Sequence, residues 1–140
     1  MMKYIFTFLL SFNCFASISL QNCQSILDKL TDANSMKRIK IEVLNDTSMN
    51  AYGAPNYVAV TKGLLQFGNK EMLVAILAHE LGHAKGINLE VGADIASVYI
   101  AGKAGLNVCP GAKQFLLTVG KEGGGTHPPG IIRLKSMRCI

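Results

Sequence analysis

Residues Ala78–Asp94 read AHELGHAKGINLEVGAD, and the spacing of their ionisable groups decides how the rest of the chain is interpreted. His79 and His83 stand four apart with Glu80 between them. On a helix, residues i and i+4 share a face, so the two imidazoles can be aimed at one metal ion. Glu80 is rotated off that line yet stays close enough to hold a water at the ion and take its proton. The stretch that carries them, KEMLVAILAHELGHAK (Lys70–Lys85), is apolar almost all round. That pattern predicts a buried central helix rather than a surface one. Burying two imidazoles and a carboxylate there without partners would be costly. Two of the chain's three histidines fall in the motif, and a metal site accounts for both facts better than a chance match to a short pattern.

Two histidines do not complete a catalytic zinc site, which usually takes three protein ligands and leaves a position for water. The pattern H-E-x-x-H-x-x-G-x-x-H fits as far as Gly86, but its last position is Leu89. The other known arrangement takes a glutamate from a second helix, often with an aspartate four residues later. Glu90 and Asp94 have that spacing. Sharing a helix face, one can bind the ion while the other accepts the N–H of a metal-bound histidine. Taken alone, Glu90 is an ordinary acid at a helix N-terminus.

The composition bounds the context. A chain of 140 residues, 49% hydrophobic and 16% charged, makes one domain at most and is not disordered in bulk. Tryptophan is absent, so the core is aliphatic. The formal charge of +5 is modest and scattered. Its densest cluster, Lys37, Arg38 and Lys40, reads as a solvated face, and without interleaved aromatics no nucleic-acid binding is expected. At the N-terminus, Lys3, the apolar run YIFTFLLSF (Tyr4–Phe12) and the small residues of NCFAS read as an export signal over residues 1–16. Cleavage is expected after Ala16, with Ser19 as a second acceptable position. The apolar run is short for a membrane span. The expectation is therefore a periplasmic or secreted protein with one domain over 17–140 and no stable membrane insertion; a retained N-terminal anchor is the alternative. Removal of Cys14 leaves Cys23, Cys109 and Cys139, which allow one bridge and leave one thiol, with the pairing open.

Along the remaining chain, helical spacing predicts a helix over Asn22–Ala33. The alternation of Ile39, Ile41 and Val43 with Lys40 and Glu42 predicts a half-buried strand. TSMNAYGAPNY is turn-rich, YVAVT (Tyr57–Thr61) is a second strand and KGLLQF a short helical turn. Asn69 caps the helix beginning at Lys70, and Gly86 ends it. Asn88 caps a further helix over Leu89–Ala104, which Gly105 terminates. CPGAKQFLLTVG is a shorter helical piece, KEGGGTHPPG a flexible loop and IIRLKSMRC a terminal helix. The fold class is α+β, a small sheet packed on a helical body around the central H-E-x-x-H helix.

The order MNAYGAPNYVAVTKGLLQF, EMLVAILAHELGHA, EVGAD, THPPGIIRL (Met49–Leu134) resembles that of the HtpX/BepA-type gluzincin zinc metallopeptidases, a family that includes the CAAX prenyl proteases and Oma peptidases. The resemblance implies a minimal zincin-like domain and a zinc endopeptidase acting on protein or peptide, with one Zn2+ per chain. It implies His79, His83 and Glu90 as ligands and Glu80 as the base that activates a zinc-bound water. Geometry favours the same choice of acid: Glu90 lies nearer the turn, level with His83, and Asp94, one turn on, could fix the tautomer of His79. In the family, the segment matching NAYG is an edge strand beside the cleft. An extended substrate could pair with it, which would bring Asn50, Ala51, Tyr52 and Gly53 into the binding site. His127 and Arg133 match a histidine and an arginine near the family's cleft. His127 could stabilise the oxyanion or cap the zinc as a latency switch, against the plain reading of a solvated loop residue. Arg133 is expected to bind substrate. Relatives usually insert a long segment between the two metal helices, whereas six residues separate His83 from Glu90 here. The hairpin at Gly86 and Ile87 must be tight, and the cleft is either open or completed by a partner protein. The alternative function is a catalytically degenerate zinc-binding accessory that holds unfolded segments.

Overall fold

A computed structural model of the chain describes residues 17–140; the signal segment expected over 1–16 lies outside the described residues. Its element order is α1 (Leu20–Ala33), β1 (Glu42–Leu44), β2 (Ala51–Ala54), β3 (Tyr57–Thr61), α2 (Lys62–Phe67), α3 (Lys70–Ala84), α4 (Glu90–Lys103), α5 (Cys109–Leu116) and α6 (Gly130–Ser136). This is the α+β arrangement that the pattern predicts. Helix α3 is its axis: every residue from Leu73 to Gly82 is buried, under α1, α4, α5 and β2. The Asn69 side chain accepts a hydrogen bond from the Met72 amide and so caps α3. The core around it is aliphatic, with Leu27, Leu30, Leu64, Leu73, Leu77 and Leu81 fully buried.

The sheet has the order β1-β3-β2. Strand β3 pairs in parallel with β1 and antiparallel with β2, and Asn56 turns the β2–β3 corner at φ 57°. The turn-rich reading of residues 47–57 thus gives way to an edge strand over Ala51–Ala54. The strand expected around Ile39 starts only at Glu42. Gln24 of α1 intervenes: its side-chain amide donates to the Ile39 carbonyl, and its side-chain carbonyl accepts from the Ile41 amide. Those backbone groups are satisfied by a helix side chain, so no sheet partner is needed there. Ile39 and Ile41 remain buried.

Three other boundaries differ from expectation. Ser19 caps α1 through its side chain, so that helix begins at Leu20. In the α3–α4 hairpin, Gly86 takes φ 93° and the Ile87 amide donates to the Gly82 carbonyl. That turn leaves Leu89 at the cap position of α4 without a side-chain hydrogen bond, so Asn88 does not cap the helix and Glu90 is its first residue. Helix α5 stops at Leu116, and residues 117–129 form a strap to α6. The strap closes on itself where Gly124 and His127 exchange two backbone hydrogen bonds of 2.9 Å. Cys109, opening α5, is bridged to Cys139, just past α6; Cys23 is a buried free thiol.

Candidate metal centre

The hairpin puts His79 and His83 of α3 opposite Glu90 and Asp94 of α4. Each imidazole has one nitrogen committed. His79 donates Nδ1–H to Asp94 Oδ1 at 2.8 Å, and His83 donates Nδ1–H to the Ile87 carbonyl at 2.6 Å. In that tautomer both Nε2 atoms are bare acceptors, and they face each other at 3.1 Å. Glu90 completes the triangle, with Oε2 3.1 Å from His79 Nε2 and Oε1 3.3 Å from His83 Nε2. Yet Glu90 Oε2 is buried and lacks a hydrogen-bond partner.

Three acceptors converging without a proton between them repel one another unless a cation sits among them. The alternative occupant is a proton on His79. Burial opposes it, but hydrogen bonds to Asp94 and Glu90 and the charges of Glu80 and Asp94 outweigh burial and push the His79 pKa up to about 9. A metal ion would replace that proton. The spacing fits: a tetrahedral ion with bonds of about 2.0–2.1 Å holds its ligand atoms roughly 3.3 Å apart. His79, His83 and Glu90 are the metal-competent group among the described residues, each offering one ligand atom within 4.8 Å of the others.

Asp94 is anchored from behind. Arg133 of α6 donates Nε–H to Asp94 Oδ2 and an Nη2 hydrogen to Oδ1, both at 2.8 Å, a bidentate pair inside the protein. Burial works against the Asp94 charge, but the hydrogen bonds from Arg133 and His79 win and lower its pKa. Arg133 lines the cavity, with its guanidinium engaged by Asp94 and the residue buried. The arginine orients an aspartate, which orients a histidine.

Glu80 is also buried, and burial is the main force raising its pKa to about 7; His79 opposes that shift and Glu90 adds to it. It lines a cavity of about 550 Å³ together with the three metal-competent residues. Asn50, Ala51, Tyr52 and Gly53 line the same cavity. Strand β2 sits directly on α3 there: a Cβ on Gly53 would lie 2.2 Å from the Glu80 carbonyl oxygen. The Thr61 amide donates to the Asn50 carbonyl, so the antiparallel alternation turns the backbone groups of Ala51 and Gly53 to the open edge. The Ala51 amide is taken by the Asn50 side chain. His127, half-exposed on the strap, brings Nε2 to 3.3 Å from Glu90 Oε2.

Two contributors escaped the sequence reading. The Ile87 carbonyl fixes His83, and a backbone acceptor has no signature in the sequence. The cavity wall supplied by Ala112, Phe115, Leu116 and Val119 did carry one, the i, i+3, i+4, i+7 spacing of a helix face.

The sequence model of peptidase family M48 matches residues 18–89, just over half of the chain. Among curated relatives, a protease HtpX homolog of Desulfatibacillum aliphaticivorans is 30% identical over 103 residues, covering 70% of this chain and 30% of the relative. The HtpX homolog of Aeropyrum pernix is 36% identical over 80 residues, 54% of this chain and 25% of that protein. A third, protease HtpX homolog 1 of Sulfolobus acidocaldarius, is 35% identical over 72 residues, 48% of this chain and 24% of the relative. The chain thus spans less than a third of the length of these relatives. No solved structure matches it. With its H-E-x-x-H helix and sheet inside the matched stretch, the chain belongs to peptidase family M48.

Proposed function

We propose that this chain is a zinc-dependent endopeptidase, with His79, His83 and Glu90 holding one zinc ion and Glu80 as general base. The observation that carries the reading is the triangle of bare acceptors, whose two imidazole tautomers are fixed by Asp94 and Ile87. Two imidazoles and a carboxylate with an open side are the donor set of catalytic zinc. When bound, zinc acts there as a Lewis acid that polarises the substrate carbonyl and acidifies water. Glu80 then accepts the proton of the attacking water and delivers it to the leaving amine. Asp94, held by Arg133, keeps the His79 Nδ1 proton in place and its Nε2 lone pair aimed inward. The open edge of β2 offers the backbone groups of Ala51 and Gly53 to an extended substrate, which would displace the Asn50 side chain from the Ala51 amide. His127 on its strap is in reach of the same centre, either to stabilise the oxyanion or to occupy the cleft until substrate arrives.

In this reading the domain over residues 17–140 is exported after loss of residues 1–16. The Ile18 amide donates to the Leu65 carbonyl at 2.8 Å and Ser19 caps α1, which favours cleavage after Ala16; a cut after Ser19 would remove both. No helix among the described residues is long and apolar enough to cross a membrane.

The deciding experiment is Glu80→Gln. Zinc stoichiometry should stay at wild type while cleavage of an unfolded protein substrate falls by several orders of magnitude. Cleavage at the wild-type rate would remove Glu80 from the chemistry. Zinc-loaded wild-type protein that binds unfolded chains but never cuts them would favour the accessory reading instead.

A further inference from the structure

Helix α4 reverses the usual arrangement of a surface helix, which carries its polar residues outward. Its two acids, Glu90 and Asp94, turn inward to the metal centre, and its only other charged residue is Lys103 at the last position. The outer face between them is apolar. Ile95 and Tyr99, one turn apart, are 42% and 70% exposed, and Leu89 at the cap position is 77% exposed. Helix α6 lies alongside, tied to α4 by the Arg133–Asp94 pair. It adds Ile132, which is 51% exposed. Single apolar side chains on a surface are ordinary, but a group of them over two adjoining helices marks an interface.

The charges around this face are almost all of one sign. Among residues 84–140 the acids are Glu90, Asp94 and Glu122, and the first two are engaged at the metal centre. The exposed cations of the same stretch are Lys85, Lys103, Lys113, Lys121, Lys135 and Arg138, against Glu122 alone. Lys103 also borders Asp28 and Asp32 of α1, but Arg38 already pairs with both. A second copy docked on this face would therefore set cations against cations. An acidic protein could offset them only if it also offered a concave apolar surface shaped to side chains that stand outward from two helices. A bilayer with anionic headgroups meets both demands. Its fluid apolar layer adapts to Ile95 and Ile132, the Tyr99 phenol stays at headgroup level, and the lysine stems run outward to the phosphates.

We propose that the α4–α6 face is a peripheral docking surface for an anionic phospholipid bilayer. Binding of this kind is interfacial, with the apolar face sunk about 5–10 Å into the headgroup boundary. It requires no membrane-spanning helix, and the described residues contain none. Glu90 and Asp94 stay on the inner face of α4, so docking leaves the metal centre intact. Nor does docking require that this centre cleave anything.

The test uses the exported chain with zinc bound and vesicles of phosphatidylcholine, either alone or in equal mixture with phosphatidylglycerol. Every variant carries the same N-terminus, so differences between variants read the face alone. Co-sedimentation should show binding to the mixed vesicles that is tighter by about 10-fold or more, a difference that shrinks as salt rises. Lys135→Glu and Arg138→Glu together should weaken that binding by about 10-fold or more. Lys40→Glu with Lys62→Glu makes the same change in net charge at exposed positions off the face, and should leave binding within about 2-fold of wild type. Tyr99→Ser should weaken it by about 5-fold or more, with zinc content and circular dichroism at wild type in every variant. Absence of binding to the mixed vesicles overturns the proposal. So does an equal loss from the two charge-reversal pairs, which would make net charge the cause. Binding that Tyr99→Ser leaves unmoved overturns it as well, because the apolar contact is then missing. Self-association in sedimentation velocity that Tyr99→Ser abolishes, without vesicle binding, assigns the face to a second copy instead.

Discussion

The α3–α4 hairpin and the strap over residues 117–129 both face the metal centre, and they are built on opposite principles. In the hairpin, the metal-competent side chains stand on helices, each imidazole is locked by a hydrogen bond, and the turn between the helices is short. The strap carries His127 beside three consecutive glycines at positive φ, Gly123, Gly124 and Gly125. Its internal fastenings are backbone hydrogen bonds alone, the pair between Gly124 and His127 and the bond from the Gly123 amide to the Gly120 carbonyl. A site that must hold an ion to a few tenths of an ångström needs the first kind of support. A group that approaches and leaves needs the second. On the proposed reading, the molecule separates holding the metal from meeting the substrate.

Substitutions test that separation. Glu90→Ala, in the hairpin, should have the largest effect, yielding an essentially metal-free protein by elemental analysis; wild-type zinc content would mean that the third ligand lies elsewhere. Asp94→Ala should come next. It frees the His79 ring and strands the buried Arg133 charge, so zinc affinity should fall about 10–100-fold. Chemical denaturation should show a loss of about 3–5 kcal/mol. An unchanged midpoint would mean that Arg133 finds water instead. Gly53→Ala follows, since the new methyl group meets the Glu80 backbone. We expect a loss of about 1–3 kcal/mol in stability and a fall in kcat that exceeds any change in zinc content. A fall confined to zinc binding would show that β2 supports the ligands rather than the base. The smallest effect belongs to the strap: His127→Ala should change turnover, in either direction, with zinc content and melting temperature near wild type. If zinc is lost there too, the two regions are not separate after all.

What the sequence made legible follows the range of the interactions. The histidine pair, the Asn69 cap, the stop at Gly86 and the all-round apolar face of α3 are encoded within a turn or two of the chain. The four-residue spacing of Glu90 and Asp94, with a short link from His83, was enough to place both beside the histidines. The edge strand over Ala51–Ala54 was a different matter: its own residues signal turns, and only the family resemblance pointed to a strand. What stayed hidden depended on distant partners. Gln24 reaches across to residues 39–41 and delays a strand; Arg133 finds Asp94 across 39 positions; Cys109 selects Cys139 over Cys23. None of these partners can be chosen without the folded topology. The Leu89 cap was missed for a local reason, because Asn88 is the better capping residue and the hairpin geometry overrode it.

The Cys109–Cys139 bridge has a consequence for how the protein matures. It closes a covalent ring of α5, the strap and α6, with a separation of 30 residues between the cysteines. His79, His83 and Glu90 all lie outside the ring. Closing a loop of that size lowers the entropy of the unfolded chain by an amount worth roughly 3–4 kcal/mol, a large share of the roughly 5–15 kcal/mol that holds a typical domain together. The ring, however, carries Arg133 and His127. A newly made, still reduced chain would thus own its ligands before it owned a stable frame around them. On the endopeptidase reading, oxidation would then be the step that completes the frame around the ligands.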